Sequence, residues 1–310
     1  MGVSAVIPLY NKVSTIERTL NSVLNQSCVP DEIVVIDDGS TDGSNVVVAG
    51  LNIPGLRLIR QENAGVSAAR NRGAIEARCE WLAYLDGDDE WMPDFLKTIA
   101  DMQSRYPESD IYGTAYYAGD YLGDKHPISL NGIAFTADIG VMENYFQVAS
   151  MSAPPLWSSA VCLRKKALLD IGGFPENVRS GEDLLTWARL AARKPPVYSM
   201  KPQAIFWQDK AHTYDESPNR VPEPDDPVGK ALAELKNVPG TMVRDIDRYL
   251  SMWYKMRSSI YLRLGMRSSA FFEILKGLRS NPSNSKLYVY LLMCVLPAEY
   301  TRNLFKRFGR

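Results

Sequence analysis

The stretch Trp81-Leu82-Ala83-Tyr84-Leu85-Asp86-Gly87-Asp88-Asp89 constrains the chain more than any other. Five mostly apolar residues run straight into three carboxylates within four positions. The apolar part predicts a short buried strand. Its polar end then falls at the carboxyl edge of a sheet, where open α/β folds place their ligands. Carboxylates packed this closely repel one another, and at neutral pH water or a cation must offset the repulsion. A hard divalent ion, Mg²⁺ or Mn²⁺, meets that need and keeps substrate phosphates and water as further ligands. A solvated acidic turn meets it equally well, so the rest of the chain has to decide.

Three similar units precede this stretch. Ser4–Tyr10 is an apolar run closed by Pro8, and a helix is expected from a Ser14/Glu17 capping box to about Gln26. Glu32–Asp38 is a second buried strand ending in acid, followed by the turn Gly39-Ser40-Thr41-Asp42. Leu56–Ile59 is a third strand, and Gly65–Gly73 opens a helix with small residues whose free amides favour anions. Strand and helix alternate to the fourth strand, which argues for a parallel, doubly wound sheet. A nicotinamide site is not expected, because Pro8-Leu9-Tyr10-Asn11-Lys12 stands where a GxGxxG turn belongs, and a Walker-type loop is missing too.

Further on, Asp110–Tyr117 and Ser158–Leu163 read as strands, and residues 119–156 are irregular and suit acceptor contacts. Gly181-Glu182-Asp183 starts a helix whose Leu184, Trp187, Ala188 and Ala191 face the core. Acids at a helix start serve either as caps or as chemistry. Val197–Ser199 and Ala204–Trp207 read as two short strands, and a proline-rich segment, 217–226, reads as a linker. Beyond it the chain is helical, with a pair of helices expected over 268–278 and 284–304.

The scattered cysteines, Cys28, Cys79, Cys162 and Cys294, form no CxxC pair and suggest reduced thiols. A cytoplasmic location is expected, since no leader and no long apolar span is visible. The net charge of -1 hides a split. Thr241–Arg310 holds 13 basic and 4 acidic residues, whereas the remainder holds 22 and 32. An acidic body with a basic tail suits an anionic surface, and no nucleic-acid partner is expected.

The order of Val6–Asn11, Asp37–Asp42, Gly65–Gly73, Leu85–Asp89 and Gly181–Asp183 resembles the family 2 glycosyltransferases of GT-A fold, over about Ser4 to Tyr214. The resemblance implies an α/β fold with a Rossmann-like, mainly parallel sheet flanked by helices, plus a helical C-terminal extension. It divides the chain into a GT-A domain over 1–225, with a nucleotide-sugar half at 1–110 and an acceptor half at 111–225, and a helical region at 226–310. It implies that Pro8 and Tyr10 line the base pocket of a nucleotide sugar, UDP in most relatives, and that Asp38 holds the base while Asp37 orients the loop. Arg70 would reach the nucleotide or diphosphate, and Asp86 the ribose or sugar. Asp88 would ligate Mn²⁺ or Mg²⁺, with Asp89 acting through water and His212 as a second metal contact. Asp183 would be the general base, with Glu182 its rival.

These roles suit the chemistry. A metal on a departing nucleoside diphosphate stabilises its growing charge without a general acid. One carboxylate base and in-line attack on the anomeric carbon give inversion. The acceptor expected is a glycan or a lipid-linked sugar. Leu287–Leu296, too short to span a bilayer, with Arg302, Lys306, Arg307 and Arg310 suits the anionic inner face of the cell membrane; a helical cap or dimer element is the other reading. Two alternative functions are a catalytically silent nucleotide-sugar-binding or scaffold protein and a nucleotidyltransferase. The intact acids speak against the first, and the missing glycine-rich loop against the second.

Overall fold

The computed structural model describes residues 2–208 and 216–308. Its first half alternates strand and helix: β1 (Val3–Leu9), α1 (Ile16–Leu24), β2 (Glu32–Asp37), α2 (Ser44–Gly50), β3 (Leu56–Arg60), α3 (Val66–Glu76) and β4 (Trp81–Tyr84). These strands pair in parallel in the order β3-β2-β1-β4. β1, β2 and β4 are apolar on both faces because helices cover both. Ala5, Ile7 and Leu9 pack with Leu20 and Val23 of α1, while Val6, Leu82 and Tyr84 point the other way. Each such fully buried aliphatic side chain contributes about 1.5–3 kcal/mol.

The second half is mixed. It comprises β5 (Glu90–Trp91), α4 (Phe95–Arg105), β6 (Ile111–Gly119), β7 (Lys125–Pro127), β8 (Ile139–Val141), α5 (Tyr145–Met151), β9 (Val161–Arg164), α6 (Lys165–Asp170), α7 (Glu182–Arg193) and β10 (Val197–Trp207). β9 runs antiparallel between β4 and β6, and β10 is parallel to β6. Where two short strands were expected, β10 is one strand whose register slips between Ser199 and Ala204. Pro202 has no N–H to give a ladder there, which places the irregularity.

α8 (Pro227–Glu234) and α9 (Val243–Arg263) continue the core: Val228, Leu232, Ile246, Tyr249 and Trp253 share one apolar cluster with Val6, Tyr84 and Trp187. α10 (Arg267–Ser280), α11 (Ser285–Met293) and α12 (Ala298–Phe308) build a separate cluster around Tyr261, Ala270, Met293 and Phe305. The single helix expected over 284–304 is two, because Pro297 interrupts it and its carbonyl accepts from Thr301 N at the start of α12. The capping box expected at Ser14 does not form; α1 begins after Thr15 with no side-chain cap.

α3 is unlike the amphipathic α1, since its buried residues are Ser67, Ala69, Arg70, Gly73 and Ala74. Small side chains bring its axis close to the sheet, and a Cβ on Gly73 would lie 2.3 Å from Val6 Cγ1. Gly73→Ala is therefore expected to destabilise the protein by about 1–3 kcal/mol through overpacking, read as a lower urea midpoint. An unchanged midpoint would show that β1 and α3 can separate at no cost.

Candidate active site

The parallel register of β1, β2 and β4 brings Pro8–Lys12, Asp37–Asp42 and Asp86–Asp89 to one edge of the sheet. Pro8 is buried there, and Tyr10 is 47% exposed beside it. Asp37 is buried; its Oδ1 accepts from Ser40 N at 2.9 Å and its Oδ2 lies 3.4 Å from Arg60 Nε. Asp38 holds the loop into α3, accepting from Gln61 Nε2 at 2.8 Å, Ala64 N at 2.9 Å and Gly65 N at 2.9 Å. Three donors occupy that carboxylate, and a lone pair of Oδ2 remains for a ligand.

The acidic loop after β4 is fixed by α1. Thr15 Oγ1 donates to the Gly87 carbonyl at 2.9 Å, Arg18 Nη2 to that of Asp88 at 2.7 Å and Thr19 Oγ1 to that of Asp89 at 2.8 Å. Residues three and four apart share one helix face, so a single face of α1 satisfies three successive carbonyls. This explains the missing cap: the Thr15 hydroxyl is used across the loop. None of the three was singled out from the sequence, although their spacing after the Tyr10-Asn11-Lys12 turn is a readable signal.

The three loop carboxylates have different surroundings. Asp89 is 1% exposed and accepts from Ser159 Oγ at 2.5 Å, Trp157 Nε1 at 3.1 Å and Trp207 N at 3.1 Å. Burial, with Asp86 and Asp88 nearby, pushes it well above the ordinary carboxylate range, while the Ser159 and Trp157 bonds pull it down. Asp89 thus ties the loop to the turn before β9 and to the end of β10. Asp86 pairs with Arg70 Nη2 through both oxygens, at 2.8 and 3.0 Å. Asp88 keeps a part-exposed carboxylate, and Lys12 Nζ forms an ion pair with it. Lys12, like Thr15, Arg18 and Thr19, was given no role from the sequence.

Arg70 is buried, and its Nη1 also lies 3.4 Å from Glu182 Oε1. Burial opposes its charge, but Asp86, Glu182 and Asp183 outweigh that and raise its pKa. Its guanidinium packs over the Phe174 ring at 5.3 Å. Arg70, expected at the nucleotide or diphosphate, links the acidic loop to the start of α7.

Asp183 stands in the first turn of α7, entered through Gly181 at φ 85. Leu184 N donates to its Oδ1 at 2.7 Å. Burial first, then the neighbouring Glu182, push its pKa up to about 7 against the pull of Arg70. Part of the residue remains open to the cleft. Buried Tyr116, Tyr145 and Tyr249 stand near enough that Asp183 adds to the burial that keeps their hydroxyls neutral. A carboxyl poised near neutrality in a cleft is suited to taking a proton.

The donor set suits a hard cation. Asp88 offers one part-exposed carboxylate, whose Oδ2 pairs with Lys12 Nζ and would exchange that partner for an ion. That pattern fits an ion completed by substrate phosphates and water. His212 lies outside the described residues.

Comparison with known proteins agrees with this architecture. The family described as Glycosyl transferase family 2 matches residues 4–169. An uncharacterized glycosyltransferase of Rickettsia bellii is 30% identical over 195 residues, which span 62% of this chain and 26% of that protein's length. The structure of S. aureus TarS 1–349 in complex with UDP-GlcNAc covers 100% of this chain and 93% of its own, with TM-score 0.70 and 18% identity. The mannosyltransferase PcManGT from Pyrobaculum calidifontis, in complex with GDP-Man and Mn²⁺, covers 99% and 87% at TM-score 0.56 and 17% identity. At these identities the structural likeness shows the fold, which is GT-A. The matched span runs from β1 through the acidic loop to α6 and covers more than half of the sequence: the chain belongs to glycosyl transferase family 2.

Proposed function

We propose that this chain is a metal-dependent, inverting glycosyltransferase that moves a sugar from a nucleoside-diphosphate sugar, a UDP-sugar in the first place, to a hydroxyl of a glycan or lipid-linked acceptor. The observation that carries the reading is the recessed Asp183 carboxyl, linked through Glu182 and Arg70 to the acidic loop. The nucleotide sugars bound by TarS and PcManGT support the donor class.

In this reading residues 1–110 hold the donor, 111–225 the acceptor and 226–310 form the helical extension. Pro8 and Tyr10 line the base, and Asp38 accepts from it through its remaining lone pair. Asp86 orients the sugar while Arg70 fixes Asp86. Asp88 holds Mn²⁺ or Mg²⁺, with His212 a further candidate ligand. That ion, when bound, offsets charge on the diphosphate. Lys12, already beside Asp88, adds a positive charge at the same place. Asp183 removes the proton from the acceptor hydroxyl. The oxygen bonds to the anomeric carbon, the bond to the diphosphate breaks, and the configuration inverts. The missing glycine-rich loop tells against nucleotidyl transfer, and the paired, recessed acids tell against a silent binding protein.

The C-terminal helices favour a membrane partner. Phe272, Leu292 and Val295 are 62%, 69% and 78% exposed, and Arg279, Lys286, Arg302 and Lys306 are exposed near them in sequence. No helix among the described residues is long and apolar enough to cross a membrane. Exposed apolar side chains with basic neighbours suit the surface of an anionic leaflet, which supports a peripheral location on the inner face of the cell membrane.

Incubation with UDP-glucose, UDP-galactose, UDP-N-acetylglucosamine and GDP-mannose plus Mn²⁺ tests the activity. Release of the nucleoside diphosphate is expected from one of them, and release of inorganic pyrophosphate would overturn the reading. Asp183→Asn is expected to lower kcat about a hundredfold or more. A base must be deprotonated, so wild-type kcat should rise through about pH 7, where burial and Glu182 set the raised Asp183 pKa, and lose that limb in the variant. Folding stability runs in the opposite sense: the raised pKa costs stability progressively from pH 3.8 upward to about 7, so Asp183→Asn should melt higher than wild type at pH 8. Chelation should abolish turnover and Mn²⁺ restore it, with Asp88→Asn needing more Mn²⁺ for half-restoration. Co-sedimentation with phosphatidylglycerol vesicles is expected for the whole chain and should be lost on combining Phe272→Ser with Leu292→Ser. Equal binding to neutral phosphatidylcholine vesicles would exclude the electrostatic part.

A further inference from the structure

We propose that Trp253 is a positioning residue for Asp183, and that the ionic network behind it makes the C-terminal helices part of the catalytic apparatus; the inference rests on the reading of Asp183 as the base. Gly181, at the entrance to α7, has φ 85, a region that favours glycine. It also lies directly on the Trp253 indole. A Cβ there would stand 2.5 Å from Cη2 and 2.6 Å from Cζ3 of that ring, and 3.5 Å from Val228 Cγ1. The ring of α9 is therefore the floor beneath the loop that presents Glu182 and Asp183.

The floor is itself fixed. Trp253 Nε1 donates to Asp226 Oδ1 at 2.9 Å, and the same oxygen accepts from Gly229 N at 3.0 Å at the start of α8. Buried Arg257, one turn along α9 from Trp253, lies 3.4 Å from Asp226 and donates through Nε to Glu273 of α10 at 2.8 Å. Its Nη2 donates to the Glu223 carbonyl at 2.7 Å. Glu223 then returns to the base loop, where its Oε1 accepts from Arg179 N at 2.9 Å, and Arg220 Nη1 donates to the Arg179 carbonyl at 2.8 Å. Residues 179–181 are gripped at the backbone on two sides and supported from below.

A buried ion pair adds little net stability against an apolar replacement, yet leaves an uncompensated charge when one partner is lost. Its consequence here is a fixed register between α9, α10 and the base loop. Proton transfer is sensitive to such placement, since a displacement of about 1 Å can cost about a hundredfold in rate. None of these side chains touches the cleft carboxyl itself; they act through Gly181 and Arg179.

Trp253→Phe keeps a ring under Gly181 and removes the indole N–H. With the best donor of the panel above, kcat is expected to fall about tenfold while donor KM stays within about twofold and the melting temperature holds within a few degrees. The decisive measurement is the double variant. If Trp253 acts through Asp183, Trp253→Phe adds no further loss in the Asp183→Asn background. Glu273→Gln, at the far end of the network, is expected to lower kcat in the same sense with donor KM unchanged. Wild-type kcat in Trp253→Phe, or losses that multiply in the double variant, overturns the positioning role while leaving Asp183 as the base. Wild-type kcat in Asp183→Asn overturns the reading of the base and this proposal with it.

Discussion

One buried guanidinium holds the site together. Arg70 brings α3, the loop after β4 and the first turn of α7 to a single point, joining residues 16 and 112 positions away in sequence. A charge this deep is tolerable only if paired, and Asp86 and Glu182 supply the pairing. The dependence runs both ways. Without Arg70, Asp86, Glu182 and Asp183 would face one another across the cleft with no buried cation between them. The small residues of α3 make the burial possible, because the close approach at Gly73 seats the helix deep enough for Arg70 to reach the loop.

Around that cation the acids divide by environment and not by position in the chain. Asp37 and Asp89 are enclosed: Asp37 spends Oδ1 on the turn at Ser40 and has Arg60 beside Oδ2, while Asp89 spends both oxygens on fixing its loop. Asp38 is committed in large part to the turn into α3. Asp88 alone in the acidic loop pairs with an exposed, mobile type of side chain, Lys12, which a ligand can displace without uncovering a buried charge. Asp183 has burial and a like-charged neighbour working together, which is the combination that moves a carboxyl toward neutrality.

The parts of this arrangement that are local were legible in the sequence. Apolar runs ending in Pro8, Asp37 and Asp86 place three strands and one sheet edge, because a buried parallel strand is written as a continuous apolar segment. What the sequence did not show depends on partners far along the chain. Ser14 and Glu17 spell a capping box, but Thr15 is drawn to the Gly87 carbonyl and no side-chain cap forms. Asp86, Asp88 and Asp89 look alike in sequence, and only Ser159, Trp157 and Trp207 mark Asp89 as the enclosed one. Val197–Ser199 and Ala204–Trp207 read as separate strands because Pro202 breaks the alternation, while pairing with β6 carries the chain through.

The two functional loops are held from opposite sides by unrelated elements. α1 grips the backbone of the acidic loop through Thr15, Arg18 and Thr19. α9 and the segment before it grip the loop that carries Asp183 through Trp253, Glu223 and Arg220. Each grip is made largely to main-chain atoms or to a glycine, so it fixes loop position while leaving the carboxylates free to meet ligands. Arg70 is the bridge between the two loops. The separation between Asp88 and Asp183 is thus set by contacts on elements packed into the core, α5 among them, since its Tyr145 packs against Tyr249 of α9.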